Sequence, residues 1–246
     1  AQSHQVVDIV RGATQGLFTN QTTAETTYNN VTSFNSDGFD IGNHSSANTN
    51  SATYAAWCWD AGSSTVTNTD GSITSTVSVR ANTMAGFSVV TYTGTATNCT
   101  VGHGLGAAPE MIILKNRDGT SNWAVWNKAF GTAGSLDYLY LNSTIAKGGD
   151  GSGSFWNSTV PTSPVFSLGS GSTTNTNNNK YVAYCFAPVD GYSSFGSYTG
   201  NGSNDGPFVY TGFRPRYLMI KSSSVGGSAG YDWIIHDTAR STYNLS

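Results

Sequence analysis

The chain has 246 residues, 10% of them charged and 37% hydrophobic, with a formal net charge of −3. That charge leaves no basic field to gather nucleic acid, and no apolar run approaches the roughly 20 residues that a membrane-spanning helix needs. Aromatic residues reach 12% and alternate in short runs with Gly, Ser, Thr and Asn, which is the pattern of an all-β sandwich or barrel.

In chain order, Asp8-Ile9-Val10-Arg11 and Leu17-Phe18-Thr19-Asn20-Gln21-Thr22 come first, and both return later. Asp37-Gly38 is a tight-turn signal ahead of Phe39-Asp40-Ile41-Gly42. Tyr54-Ala55-Ala56-Trp57-Cys58-Trp59 is apolar on both alternating faces, so it is predicted to be a central strand with Trp57 in the core. Residues 60–85, with Asp70-Gly71, are polar apart from Val77 and Val79 and read as a surface hairpin or connector.

Gly86-Phe87-Ser88 leads to Tyr92-Thr93-Gly94, and Gly102-His103-Gly104-Leu105-Gly106 reads as a glycine-rich turn. The run Met111–Leu114 after Pro109 is a strand predicted to be buried on both faces, paired through Asp118-Gly119 with the Trp123–Ala129 block. The tract Gly169–Asn179 is of low complexity and is expected to be an exposed, mobile loop.

The repeat organises these blocks. Tyr54–Trp59 returns as Tyr181–Phe186, and Phe39–Gly42 returns as Phe166–Gly169 at the same spacing. Gly86-Phe87-Ser88 and Tyr92-Thr93-Gly94 return as Gly191-Tyr192-Ser193 and Tyr198-Thr199-Gly200. Pro109–Lys115 returns as Pro215–Lys221, and Trp123–Ala129 as Trp233–Ala239. Leu17–Thr22 parallels Leu139–Thr144, and Asp8–Arg11 parallels Asp237–Arg240.

The expected architecture is therefore two pseudo-repeated, jelly-roll-like β-sandwich units. Residues 86–186 form a complete central unit, and 1–59 plus 191–246 form a second unit from two half-repeats. Two arrangements are open: the halves pair within one chain, or the chain is a window cut from a longer array. The absence of an initial Met and the mid-repeat ends lead us to expect a fragment or processed piece.

Chemistry is sparse. His4, His44, His103 and His236 stand apart, without metal-ligand spacing. No catalytic residue, transition metal or cofactor is expected. Asp37, Asp40, Asp60 and Asp150 are the candidate calcium ligands, although they form no Asp-x-Asp-x-Asp array. Cys58 and Cys185 occupy equivalent strand positions and read as buried free thiols, whereas Cys99 in a polar stretch is the candidate for pairing between chains. Trp126, Tyr138, Tyr140 and Trp156 are the candidate carbohydrate-contact residues, because aromatic faces stack on sugar CH surfaces. Trp123 and Trp233 recur and are expected in the core.

Tyr54–Gly62, Gly86–Gly94, the Gly-His-Gly-Leu-Gly-x-x-Pro turn and Gly206–Pro215 together resemble an uncharacterised repeat domain. That domain occurs in large structural and tail-fibre-like proteins of marine bacteriophages. The resemblance covers most of the chain and implies a non-enzymatic virion-surface protein, in a tail-fibre, adhesin or capsid-decoration role. Implied partners are other copies of the chain, other virion proteins and a host-surface glycan, without nucleic acid or membrane insertion. The competing expectations are a subunit of an extracellular filament or surface layer assembled by strand complementation, and a carbohydrate-active enzyme. The last would need paired carboxylates across a cleft, which the scattered acids do not suggest.

Overall fold

The computed structural model describes residues 3–130, 136–225 and 231–240. Residues 1–2, 131–135, 226–230 and 241–246, which fall within the expected units, lie outside the described residues. The chain opens with β1 (Gln5–Asp8), β2 (Gly12–Phe18) and β3 (Thr26–Thr27), a three-stranded sheet. β4 (Val31–Phe34) and β5 (Phe39–Ile41) form a hairpin over the Asp37-Gly38 turn, followed by the one-turn helix α1 (Ser45–Asn48).

Next come β6 (Val66–Thr67), β7 (Ser78–Asn82), β8 (Phe87–Thr93), β9 (Cys99–Gly102), β10 (Met111–Asn116) and β11 (Ala124–Asn127). They are followed by β12 (Asp137–Tyr140), β13 (Gly148–Gly149), β14 (Val165–Leu168), α2 (Ser172–Asn175) and β15 (Lys180–Phe186). β16 (Tyr217–Ile220) and β17 (Ile234–Asp237) close the described chain as a hairpin. The all-β expectation holds. Among the described residues no helix is long and apolar enough to cross a membrane.

An eight-stranded antiparallel sheet runs β13-β12-β11-β10-β15-β8-β7-β6, and β14 pairs with β9 in a second layer. The period-2 alternation of a strand sends successive side chains to opposite faces. Along β15, Tyr181, Ala183 and Cys185 enter the larger core with Ile112, Leu114, Phe166 and Leu168, and β9 and β14 cover that face. Val182 and Tyr184 enter a second core with Phe87, Val89, Trp123 and Leu17, and the β1–β2 sheet covers that face. β8, β10 and β15 thus lie in the middle of a layered body, as the continuous apolar run Met111–Leu114 of β10 predicts.

Four expectations are corrected. Tyr54–Trp59 forms no strand, and Trp57 is 38% exposed, because among the described residues no strand pairs with either edge of that segment. Residues 60–85 are not a surface connector: β7 pairs with β8, and Ile73, Val77 and Val79 are buried in the larger core. The Gly169–Asn179 tract is docked, with Thr174 and Asn175 fully buried. The Asn175 amide donates to Thr97 O and Gly169 O while its Oδ1 accepts from Thr95 N, which fastens α2 to the β8–β9 connection. Composition suggested a mobile loop, but a buried Asn with its amide and carbonyl satisfied locks it. Finally, Cys99 is buried and Cys58 is the exposed thiol, while Cys185 is buried as expected.

Candidate functional site

The repeat recurs in hydrogen-bond register. In the β10–β11 hairpin Met111 pairs with Asn127 and Ile112 with Trp126. In β16–β17 the counterparts Tyr217 and Asp237, Leu218 and His236, pair likewise. Val125 faces Leu139 across β11–β12, and Val6 faces Leu17 across β1–β2. The helices recur too: Thr176 N donates to Tyr181 Oη at 2.7 Å and Tyr181 Oη to Ser172 O at 3.0 Å. Thr49 N donates to Tyr54 Oη at 3.0 Å, and Tyr54 Oη to Ser45 O at 3.2 Å.

The same grip between repeats is made twice. Trp123 Nε1 donates to Phe18 O at 2.9 Å, and its counterpart Trp233 Nε1 donates to Tyr140 O at 3.0 Å. Lys115 Nζ donates to Thr22 O, Asn116 O and Gly119 O. Lys221 Nζ likewise donates to Thr144 O, Ser222 O and Tyr231 O. In each case a hairpin Trp and Lys seize main-chain carbonyls at the end of a β2- or β12-type strand and the loop beyond it. Burial pulls the Lys115 ammonium down to about 8, the desolvation effect expected of a cation held by carbonyl dipoles rather than by a carboxylate.

A polar clamp reinforces the first grip. Asp8 accepts from the Val10 and Arg11 amides and from Tyr184 Oη, on β15. Arg11 donates to Tyr184 Oη at 3.0 Å and to Glu25, and Arg117 forks onto Glu25 with Nη2 at 2.7 Å. The counterpart pair Asp237 and Arg240 meets Trp57, which holds the repeat position of Tyr184. Trp57 Nε1 donates to Asp237 Oδ2 at 3.2 Å, and the Arg240 guanidinium lies 5.0 Å from the ring centroid. An Asp-x-x-Arg turn thus seats itself on an aromatic residue in both places.

Burial alone would raise the Glu25 pKa, but hydrogen bonds from Arg117 and Arg11 outweigh it and hold the carboxyl below its ordinary value. Its contribution to stability is complete above the unfolded value, near ~4.3, and is lost as the pH falls through the lower folded value. Acid titration of stability should therefore show a loss below about pH 4 that Glu25→Gln flattens. An unchanged acid limb in that variant would remove Glu25 from the clamp's energetics.

The bare surfaces also follow the repeat. Phe166 and Leu168 of β14 are fully buried against the main sheet, whereas their counterparts Phe39 and Ile41 on β5 are exposed. Ile112 and Ala124 are fully buried, whereas Leu218 and Ile234 on the terminal hairpin are exposed. Tyr54, Trp57, Trp59, Tyr192, Tyr198, Phe208 and Tyr210 belong to the same two ends and are exposed as well. This concentration of large apolar side chains exceeds the scatter normal on a protein surface.

The sugar-contact candidates separate. Trp126 and Trp156 are 3% and 2% exposed in the larger core, so neither offers a face to a sugar, a correction of that expectation. Tyr138 and Tyr140 project together from β12 and are half-buried. Tyr138 stacks on Phe155 at 3.9 Å and lies 5.1 Å from Tyr140. Burial and the neighbouring Tyr138 push the Tyr140 phenol up to about 12. Trp123 is in the core as expected, and Trp233 is partly exposed.

His103 is buried in its turn, just ahead of Gly104 and Gly106 at φ +71° and +69°. Its Nδ1 accepts from Leu105 N, which leaves Nε2 to donate to Thr162 O at 3.0 Å. The four aspartates stand apart. Asp40 binds Ser33 and Asn35, Asp60 binds Gly62 N and Asn82, Asp150 caps the Phe155 and Trp156 amides, and Asp37 sits in the β4–β5 turn. Among the described residues no three His, Cys, Asp or Glu side chains converge on a common point.

The grips escaped sequence reading because their acceptors are main-chain carbonyls, which carry no residue signature, and the clamp because its side chains come from four segments far apart in the chain. The recurrence of Lys115 as Lys221, and of Asp8–Arg11 as Asp237–Arg240, was the available signal. No curated protein and no solved structure matches the chain. A family model described as a domain of unknown function, DUF7483, matches residues 1–246. With the whole length matched, the chain belongs to the DUF7483 family.

Proposed function

We propose that the chain is a non-enzymatic structural protein of a bacteriophage virion surface, in a tail-fibre or capsid-decoration role, built of two pseudo-repeated sandwich units. The observation that carries this reading is the repeated grip, Trp123 and Lys115 on one side and Trp233 and Lys221 on the other. One contact used twice is how repeat modules build a rigid body. The resemblance of the repeat blocks to those of phage structural proteins supplies the setting. A host-surface glycan would meet the half-buried Tyr138–Tyr140–Phe155 cluster, which holds the part of the candidate aromatic set that is not in the core.

A second reading, a filament or surface-layer subunit assembled by strand complementation, is favoured by one observation. Among the described residues β5 and β16 each have a single partner in the sheets, and unpaired strand edges recruit other chains. Gold-labelled antibody against the chain, applied to particles purified from an infected culture, separates the two. Regular decoration of the particles is the expected result. Label confined to uninfected cell surfaces or free filaments would overturn the virion reading.

A further inference from the structure

We propose that the two exposed ends of the chain are covered by each other: residues 54–59 add to the free edge of β16, and β5 folds over the inner face of the β16–β17 hairpin. This deepens the two-unit reading above and rests on it. The central unit supplies the register. There β15 lies beside β10 with Met111 opposite Phe186, Ile112 opposite Cys185 and Ile113 opposite Tyr184. Transferred through the repeat, Tyr217 faces Trp59, Leu218 faces Cys58 and Met219 faces Trp57.

The structure already holds the beginning of that pairing. Trp59 and Tyr217 stand edge to face at 5.9 Å, and Trp57 lies 6.2 Å from Tyr217 and hydrogen-bonds Asp237 of β17. The flanking pieces are preformed. The β4–β5 turn bond from Asn35 N to Gly38 O repeats that from Thr162 N to Val165 O, and α1 repeats the Tyr-to-helix bonds of α2. Gly212 at φ +83° holds the left-handed turn that Gly106 holds in the central unit. What is missing is the closing of β5, with Phe39 and Ile41, onto Leu218 and Ile234.

Closure within one chain, rather than with a second copy, follows from the grips. The end carrying β2 grips the central hairpin through Phe18 and Thr22, and the central unit grips the terminal hairpin through Tyr140 and Thr144. Two bodies that hold each other by the same contact in both directions form a closed pair, the arrangement of a twofold interface. Counterparts then meet at the pseudo-axis, and Trp59 and Phe186 do so at 6.1 Å.

The native Cys58 gives the test. Side chains directly opposed across antiparallel strands have Cβ atoms roughly 4.5–5.5 Å apart, and Cα separations of about 4.4–6.8 Å admit a disulfide. Under mild oxidation, Leu218→Cys should couple to Cys58 within a monomer, as mapped by peptide mass spectrometry, while Met219→Cys, on the opposite face, should not. Covalent ladders of Leu218→Cys in place of a bridged monomer would overturn the intrachain pairing in favour of exchange between copies. No bridge in a folded chain would overturn the register. If the variant does not fold, hydrogen exchange of the unaltered chain decides. Amides of Ala55–Trp59 as protected as those of Val182–Phe186 are expected, and complete exchange within seconds would overturn the proposal. A bridged monomer that never labels virions would sink the virion reading and leave this pairing standing.

Discussion

Trp123→Ala should lower the unfolding free energy by about 3–5 kcal/mol, the range for truncating a buried Trp. The indole is fully buried in the second core, against Leu17, Phe87 and Tyr184 among others. The substitution empties that volume and removes the N–H that holds Phe18 O, so it costs both packing and a hydrogen bond between repeats. Because Leu17 and Phe18 belong to β2, the loss should also free the β1–β2 sheet from the main sheet. Denaturant titration gives the magnitude, and faster proteolysis of residues 3–27 gives the location. A loss under about 1 kcal/mol would mean that the ring contributes little to the core. Trp233→Ala should cost less, because Trp233 is only half-buried and makes the corresponding bond at a partly open interface.

Strands whose burial is dictated by local alternation were legible in the sequence. Met111–Leu114 and Tyr181–Phe186 carry apolar side chains at both parities, and both lie in the middle of the main sheet. Tyr54–Trp59 carries the same pattern and is not a strand, since a strand is made by its neighbours and no backbone ladder reaches this one among the described residues. The 60–85 insert misled in the opposite direction. Val77 and Val79, two apolar residues on one strand parity, suffice to seat β7 in the core once β8 offers an edge. Asn175 shows the limit of composition: a polar tract was read as solvent-exposed, yet one amide satisfied by three main-chain groups buries it.

Of the candidate sugar-contact residues, strand position separates the buried from the half-exposed. Tyr138 and Tyr140 share one face of β12, flanking the buried Leu139, and the register of β12 on β11 places them together. Trp126 lies on the core face of β11, as its pairing opposite Ile112 requires. Exposure of an aromatic in a strand is a property of its parity relative to the core, and the parity of β11 could be read only after β10 was placed.

The second large effect is expected at Arg11. Its side chain is fully buried, and its guanidinium reaches Asp8, Glu25, Tyr184 and the carbonyls of Val6 and Gln15. Burial disfavours the charge, but Tyr184, Asp8 and Glu25 outweigh that and raise the pKa, so the group stays cationic. Arg11→Met keeps much of the stem and deletes the charge, leaving the Asp8 carboxylate buried without its cation. Removing one member of a buried ion pair typically costs about 3–5 kcal/mol, most of it the penalty on the stranded partner. Asp8→Asn combined with Arg11→Met removes both charges and should therefore cost less than the sum of the two single changes. Strict additivity in that cycle, measured by denaturant titration, would show that the two side chains act independently. A single-variant loss below about 1 kcal/mol, the scale of exposed pairs, would place the clamp in solvent. With Glu25 bridging Arg11 to Arg117 beyond β10, the Arg11→Met loss should again release residues 3–27 first.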